Sequence, residues 1–133
     1  MVKRSLVGGF TSFRVLANEY IVLFFWDFDC GICKKEIDKL KEVVSHKNYD
    51  VGVYAINVNG DLEKWKKSVA EKELTWLNVN GTRSVTADFH DLYDIYGTPV
   101  IYLLDRNRNI VAKRIGGEQV MPFLENHEMQ SFR

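Results

Sequence analysis

Cys30-Gly31-Ile32-Cys33 sets two thiols one helical turn apart, directly after an apolar run from Tyr20 to Trp26 and at the head of an amphipathic helical pattern. The first thiol falls at or just before the opening turn of a helix, where unpaired N–H groups and the helix dipole favour an anion. Cys30 is therefore the expected nucleophile. Cys33, a turn later and facing the sheet, is positioned to attack a sulfur joined to Cys30, closing a disulfide and expelling the bound partner. Both cysteines of the chain lie in this motif. A bridge closing so short a loop stabilises little, so the purpose is chemical rather than structural. Charges around the sulfur compete: the helix N-terminus and Lys34 favour a Cys30 thiolate, while Asp27 and Asp29 disfavour it.

The elements that must hold this pair are legible from periodicity. Tyr20 to Trp26 is apolar on both alternating faces, as a central strand covered on each side requires. Cys33, Ile37, Leu40 and Val44 recur at helical spacing, with Lys34, Lys35, Asp38, Lys39 and Lys41 on the wet side. Val51 to Val58 reads as a second buried strand, which makes the first half a parallel, right-handed strand–helix–strand unit. Asp61 is placed to cap a helix with Leu62, Trp65 and Val69 on one face, and its Lys64, Lys66 and Lys67 form a solvated face. A further helix is expected to carry Phe89, Leu92, Tyr93 and Tyr96 and to end at Gly97. Residues 99–104 and 110–115 flank a polar turn and read as an antiparallel hairpin. A last helix after Gly116-Gly117 uses Val120, Phe123 and Leu124 for packing, with Pro122 acceptable only in its first turn. The fold class is α/β, a central mixed sheet flanked by helices on both faces.

The chain has 133 residues, 46% of them hydrophobic, which fits one compact domain. Residues 1–19 are read as a leading segment of that domain, with a short helical turn around Ser12 to Ala17, and residues 20–133 as its body. Eighteen basic residues balance 18 acidic ones, so no global field steers the protein to nucleic acid or to an anionic membrane. The run from Tyr20 to Trp26 is too short to span a membrane, and Met1 to Phe10 lacks the apolar core of a secretory signal. The chain as given is expected to be soluble, and nothing argues for more than a monomer.

Phe25-Trp26 before the motif, Cys30-Gly31-Ile32-Cys33-Lys34-Lys35-Glu36 through it, and Tyr96-Gly97-Thr98-Pro99 followed by Ile101 to Asp105 together resemble the thioredoxin fold over nearly the whole chain. The nearest branch looks like the TlpA/ResA-like thiol-disulfide oxidoreductases. The resemblance implies exchange with protein disulfides, an outside thiol or membrane electron donor, no bound cofactor beyond the redox-active Cys30–Cys33 pair, and action outside the cytoplasm. It also implies a cis bond before Pro99 beside the thiols. Pro99 brings no N–H, so the backbone of Thr98 is left to pair with an extended substrate chain like an added strand. Trp26, Gly31, Ile32, Thr98 and Pro99 are the expected substrate contacts, with Trp26 favoured over Phe28, and Glu36 is a candidate proton carrier for Cys33.

Departures from the pattern carry consequences. Phe24 stands where thioredoxin has a buried Asp, so another group or water must deprotonate Cys33. Asp38 stands where relatives carry a helix-kinking proline, and Asp29 replaces an aromatic residue. Gly31-Ile32 offers no imidazole of the kind found in strongly oxidising relatives, which favours a reductant or an isomerase-like exchanger. A zinc site would need two histidines beside the cysteines, but His46, His90 and His127 are scattered over separate elements, so no metal is expected. A peroxiredoxin Pro-x-x-x-Thr-x-x-Cys stretch is absent. The alternative from another class is a binding or chaperone module that keeps the fold with little turnover.

Overall fold

A computed structural model describes residues 6–7, 17–80 and 97–131 of the chain. In chain order these form β1 (Leu6–Val7), β2 (Tyr20–Trp26), α1 (Gly31–Ser45), β3 (Val51–Asn57), α2 (Leu62–Glu71), β4 (Leu77–Asn80), β5 (Val100–Leu104), β6 (Ile110–Lys113) and α3 (Gly117–Ser131). The strands make a single six-stranded sheet in the order β1-β4-β3-β2-β5-β6. Strands β1 to β4 run parallel, β5 lies antiparallel to β2, and β6 lies antiparallel to β5. The expected helical turn at Ser12 to Ala17 falls on residues of which only Ala17 is described, and the helix carrying Phe89, Leu92, Tyr93 and Tyr96 lies outside the described residues.

Strand β2 holds the centre because every one of its residues is buried. Alternation sends Tyr20, Val22, Phe24 and Trp26 to one face, where they meet Ile37 and Leu40 of α1, Trp65 and Val69 of α2, and Val120 and Leu124 of α3. Ile21, Leu23 and Phe25 go to the other, with Tyr54, Ile56, Leu77, Val79, Val100 and Tyr102. The register Trp26↔Asn57 brings the C-terminal ends of β2 and β3 level. Ligand chemistry in open α/β sheets collects at such ends.

Strands β1 and β4 were not expected. In β4 the apolar residues Leu77 and Val79 alternate with Asn78 and Asn80, both buried. Asn78 satisfies its amide by donating to the Leu74 and Trp76 carbonyls, at 3.0 and 2.7 Å. Polar side chains there hide a strand whose inward positions ordinarily read as apolar. Pro122 is also corrected. It lies beyond the first turn of α3, which begins at Gly117. Two buried residues, Val120 and Leu124, hold α3 to the sheet through the position where the ring removes a backbone donor.

The buried stripe of α1 is Cys33, Glu36, Ile37, Leu40 and Val43. It thus includes a carboxylate, and Val44 is only half-buried. The Glu36 carboxylate accepts the backbone N–H of Gly117 at 3.0 Å and pairs with Lys39 at 3.7 Å. An acceptor of negative charge thereby meets the positive end of α3. Close approach of α1 and α3 demands glycine here: a Cβ on Gly117 would lie 2.8 Å from both Glu36 Oε2 and Lys39 Cβ. Gly117→Ala is expected to push the two helices apart and cost about 1–3 kcal/mol, read as a lower urea midpoint with an unchanged denaturant slope.

Candidate functional site

The chain leaves β2 at Trp26 and reverses over Asp27 to Asp29 before α1 begins. Two bonds shape the reversal: the Cys30 N–H donates to the Asp27 carbonyl at 3.0 Å, and the Asp29 N–H donates to the Asp27 carboxylate at 2.8 Å. Cys30 then stands as the N-cap of α1 in extended conformation, with φ −94 and ψ 114. Its Sγ accepts the Cys33 N–H at 3.3 Å. A sulfur thus takes the place usually filled by a Ser, Thr or Asp oxygen, and an N–H of the first turn is aimed at it.

The second face of this sulfur meets the turn before β5. Cys30 Sγ lies 3.7 Å from the Thr98 carbonyl oxygen, and the Thr98–Pro99 peptide is cis. Cys30 is half-buried and Cys33 buried, both as free thiols. The two differ in environment as their order in the motif predicts. Burial, first, pushes the Cys33 thiol up to about 12, while a bond from the Asp27 backbone opposes the rise and the neighbouring Cys30 adds to it.

Other residues singled out by sequence divide into those at the rim and those beneath it. Gly31 is exposed, and nothing lies within 4 Å of where its Cβ would be. Ile32 is 63% exposed, an apolar side chain standing in water beside the thiols. Thr98 and Pro99 are half-buried. Trp26 needs correction as a surface contact: it is 0% exposed and stacks on Phe24, ring centroids 6.2 Å apart and nearly coplanar in orientation. As the last residue of the central strand it is roofed by α1, and it supports the thiols from within. A cavity of about 160 Å³ beside them is lined by Trp26, Asp27, Phe28, Cys30, Cys33 and Lys34 among others, so Trp26, though buried, borders the site. Phe24, standing where an acid might have been, is fully buried in the same stack. Glu36 has its carboxylate held by Gly117 and Lys39.

Sequence reasoning passed over Asn59. Its side-chain amide donates to Asp27 Oδ1 at 3.1 Å and to Asp29 Oδ2 at 3.3 Å. The signal available was the cluster Asn57-Val58-Asn59-Gly60-Asp61 at the end of a predicted strand, rich in side chains that bond nearby backbone. Among the described residues no histidine stands at the thiols: His46 is the C-cap of α1 and His127 packs edge-on against Tyr20, while His90 lies outside the described residues. Among the described residues, no three His, Cys, Asp or Glu side chains converge on a metal position, and no helix is long and apolar enough to cross a membrane.

Residues 5–113 match the family described as AhpC/TSA. No curated protein matches the chain. Among solved structures, it is similar to a domain of a possible thiol-disulfide isomerase from Cytophaga hutchinsonii. The two are 41% identical over 86% of this chain and 79% of that one, with a TM-score of 0.77. The thioredoxin domain of a thiol-disulfide oxidoreductase from Bacteroides vulgatus is 27% identical over 88% and 84%, with a TM-score of 0.70. A thiol:disulfide interchange protein from a Bacteroides species is 26% identical over 87% and 77%, with a TM-score of 0.68.

The two thiols should differ in reactivity. Iodoacetamide at pH 8 is expected to label the folded, reduced protein at Cys30 alone, with Cys33 labelled only after denaturation, as read by peptide mass spectrometry. Because the folded pKa of Cys33 is raised from 9.0 to about 12, its contribution to stability is intact below about pH 9 and is lost as pH rises toward 12. The Tm of the reduced protein should fall over that window more steeply than that of Cys33→Ala; parallel curves would contradict the burial argument.

Proposed function

The chain belongs to the AhpC/TSA family and is a thiol-disulfide oxidoreductase of thioredoxin-like fold, and on that premise we propose that Cys30 attacks a protein disulfide and Cys33 resolves the product. The Cys30 thiolate bonds to one sulfur of the substrate, and the other substrate sulfur leaves as a thiolate. Cys33, giving its proton to water or to the leaving sulfur, then attacks Cys30. The Cys30–Cys33 disulfide forms as the second substrate thiolate departs, so the substrate is reduced by two electrons and the site oxidised by two. An external thiol or membrane-bound donor returns the site to the dithiol.

One observation carries this reading: the Cys30 sulfur is at once the cap of α1, receiving the Cys33 N–H, and the neighbour of the Thr98 carbonyl. The first contact favours a thiolate nucleophile. The second supports docking of an extended substrate along the backbone at Thr98 and Pro99, with Gly31 leaving room and Ile32 offering an apolar contact. Trp26 acts from below by fixing the end of β2. Glu36 is assigned to hold α3 against α1, and proton transfer to or from Cys33 is its candidate second role. No bound cofactor is required by this cycle. The described strands share one sheet, which supports a single domain over residues 20–133 with residues 1–19 as its leading segment. Action outside the cytoplasm is the reading that the TlpA/ResA resemblance supports, and a monomer is proposed because nothing in the sequence argues for a larger assembly.

Cys33→Ser should accumulate a mixed disulfide on Cys30, visible as a thiol-sensitive adduct on non-reducing gels, and Cys30→Ser should reduce dithiothreitol-driven insulin reduction to background. Full activity in Cys30→Ser would overturn the assignment. A wild-type protein with both thiols intact and no rate above background would mark a binding module instead. Glu36→Gln tests the proton role: unchanged resolution rates across pH, with α3 still docked, would confine Glu36 to structure.

A further inference from the structure

The turn that delivers Cys30 carries two carboxylates, Asp27 and Asp29, within three residues of the sulfur. Like charges so placed repel each other and raise the cost of a nearby thiolate. A single side chain lies against both. The Asn59 Nδ2 group has two hydrogens, and it stands 3.1 Å from Asp27 Oδ1 and 3.3 Å from Asp29 Oδ2. Its orientation is fixed from the opposite side, because Asn59 Oδ1 accepts the Asp61 N–H at 2.9 Å. Rotating the amide would set an NH2 group against that N–H and an oxygen against two carboxylates.

The anchor beneath Asn59 is firm. Asn57, 0% exposed at the end of β3, takes the Asn59 N–H on its Oδ1 at 3.1 Å and donates from Nδ2 to the Asn59 carbonyl at 2.6 Å. The Val58 N–H reaches the Trp26 carbonyl at 3.0 Å. Asp27 in turn holds the Cys30 N–H. Contacts therefore run from the buried end of β3, through one amide, to the backbone that carries the nucleophile.

We propose that Asn59 is a positioning residue for the redox pair: it pins the Asp27–Asp29 turn and draws negative charge from both carboxylates, so that the reduced form of the site is stabilised. The proposal rests on reading Cys30 and Cys33 as a cycling dithiol. Loss of the amide removes the one donor shared by both carboxylates, leaving Asp27 with the Asp29 N–H alone; the less compensated negative charge beside Cys30 disfavours its thiolate and shifts the pair toward the disulfide, making the protein more reducing.

The test is equilibration with glutathione, in which the protein dithiol and one glutathione disulfide give the protein disulfide and two glutathione thiols. Asn59→Ala should raise that equilibrium constant about threefold to tenfold, tenfold corresponding to about 30 mV. Asn59→Asp, which adds a third carboxylate, should shift it further in the same direction. On an Asp29→Asn background the Asn59→Ala shift should shrink to less than half. Equal shifts on both backgrounds, or a lowered Tm with no shift, would overturn the proposal. Asn59→Ser serves in the same cycle if the alanine variant does not fold. Failure of the wild-type protein to form the Cys30–Cys33 disulfide at all would instead remove the redox reading on which the proposal rests.

Discussion

Because the Cys30 sulfur accepts the Cys33 N–H, the helix that carries the second thiol is also the helix whose first turn the first thiol completes. Capping usually stabilises a helix without doing chemistry, by giving one orphan donor an acceptor. Here the acceptor is itself the reacting atom. Any step that bonds or frees this sulfur therefore alters the cap, and any change in the first turn of α1 alters the sulfur's surroundings. The remainder of the architecture serves to keep that turn where β2 delivers it: Trp26 closes the strand beneath it, α1 packs on the sheet through Ile37 and Leu40, and the Thr98 carbonyl bounds the sulfur on its free side.

The asymmetry between the thiols follows from the same arrangement. A helix advances about 100° per residue, so three residues bring the chain nearly back to the same side but one turn deeper. Cys30, at the cap, keeps contact with solvent, while Cys33 faces the sheet and is 1% exposed. Desolvation keeps the second thiol protonated until a neighbouring sulfur offers it a bond. The order of the two steps is thus written in depth.

Much of this was legible from residue pattern, because the relevant signals are local. The unbroken apolar run of β2, the 3.6-period face of α1, the Asp61 cap that accepts the Lys64 N–H and the polar turn between β5 and β6 each declare themselves within a dozen residues. In that turn Asp105 accepts the N–H groups of both Asn107 and Asn109. What escaped was non-local or counter to type. Glu36 sits among charged residues and looks solvent-facing until α3 arrives to bury it. Asn78 hides β4 because a buried amide breaks the apolar pattern of the strand, its donors met by the Leu74 and Trp76 carbonyls just before it. Asn59 touches the redox turn across more than 30 positions of chain, and no periodicity announces such a meeting. Trp26 was placed correctly along the chain but not in depth, since strand ends alternate between core and rim.

The bond between Glu36 and Gly117 joins groups 81 positions apart. On a ribosome the strand–helix–strand half emerges first, with the Glu36 carboxylate lying along the apolar stripe of α1 and its eventual donor still unsynthesised. Water must solvate it in the interim, so α1 cannot be sealed on that side before the last helix appears. Closure of this side of α1 consequently waits for α3. Until then the cysteine pair sits on a helix whose flank is still wet.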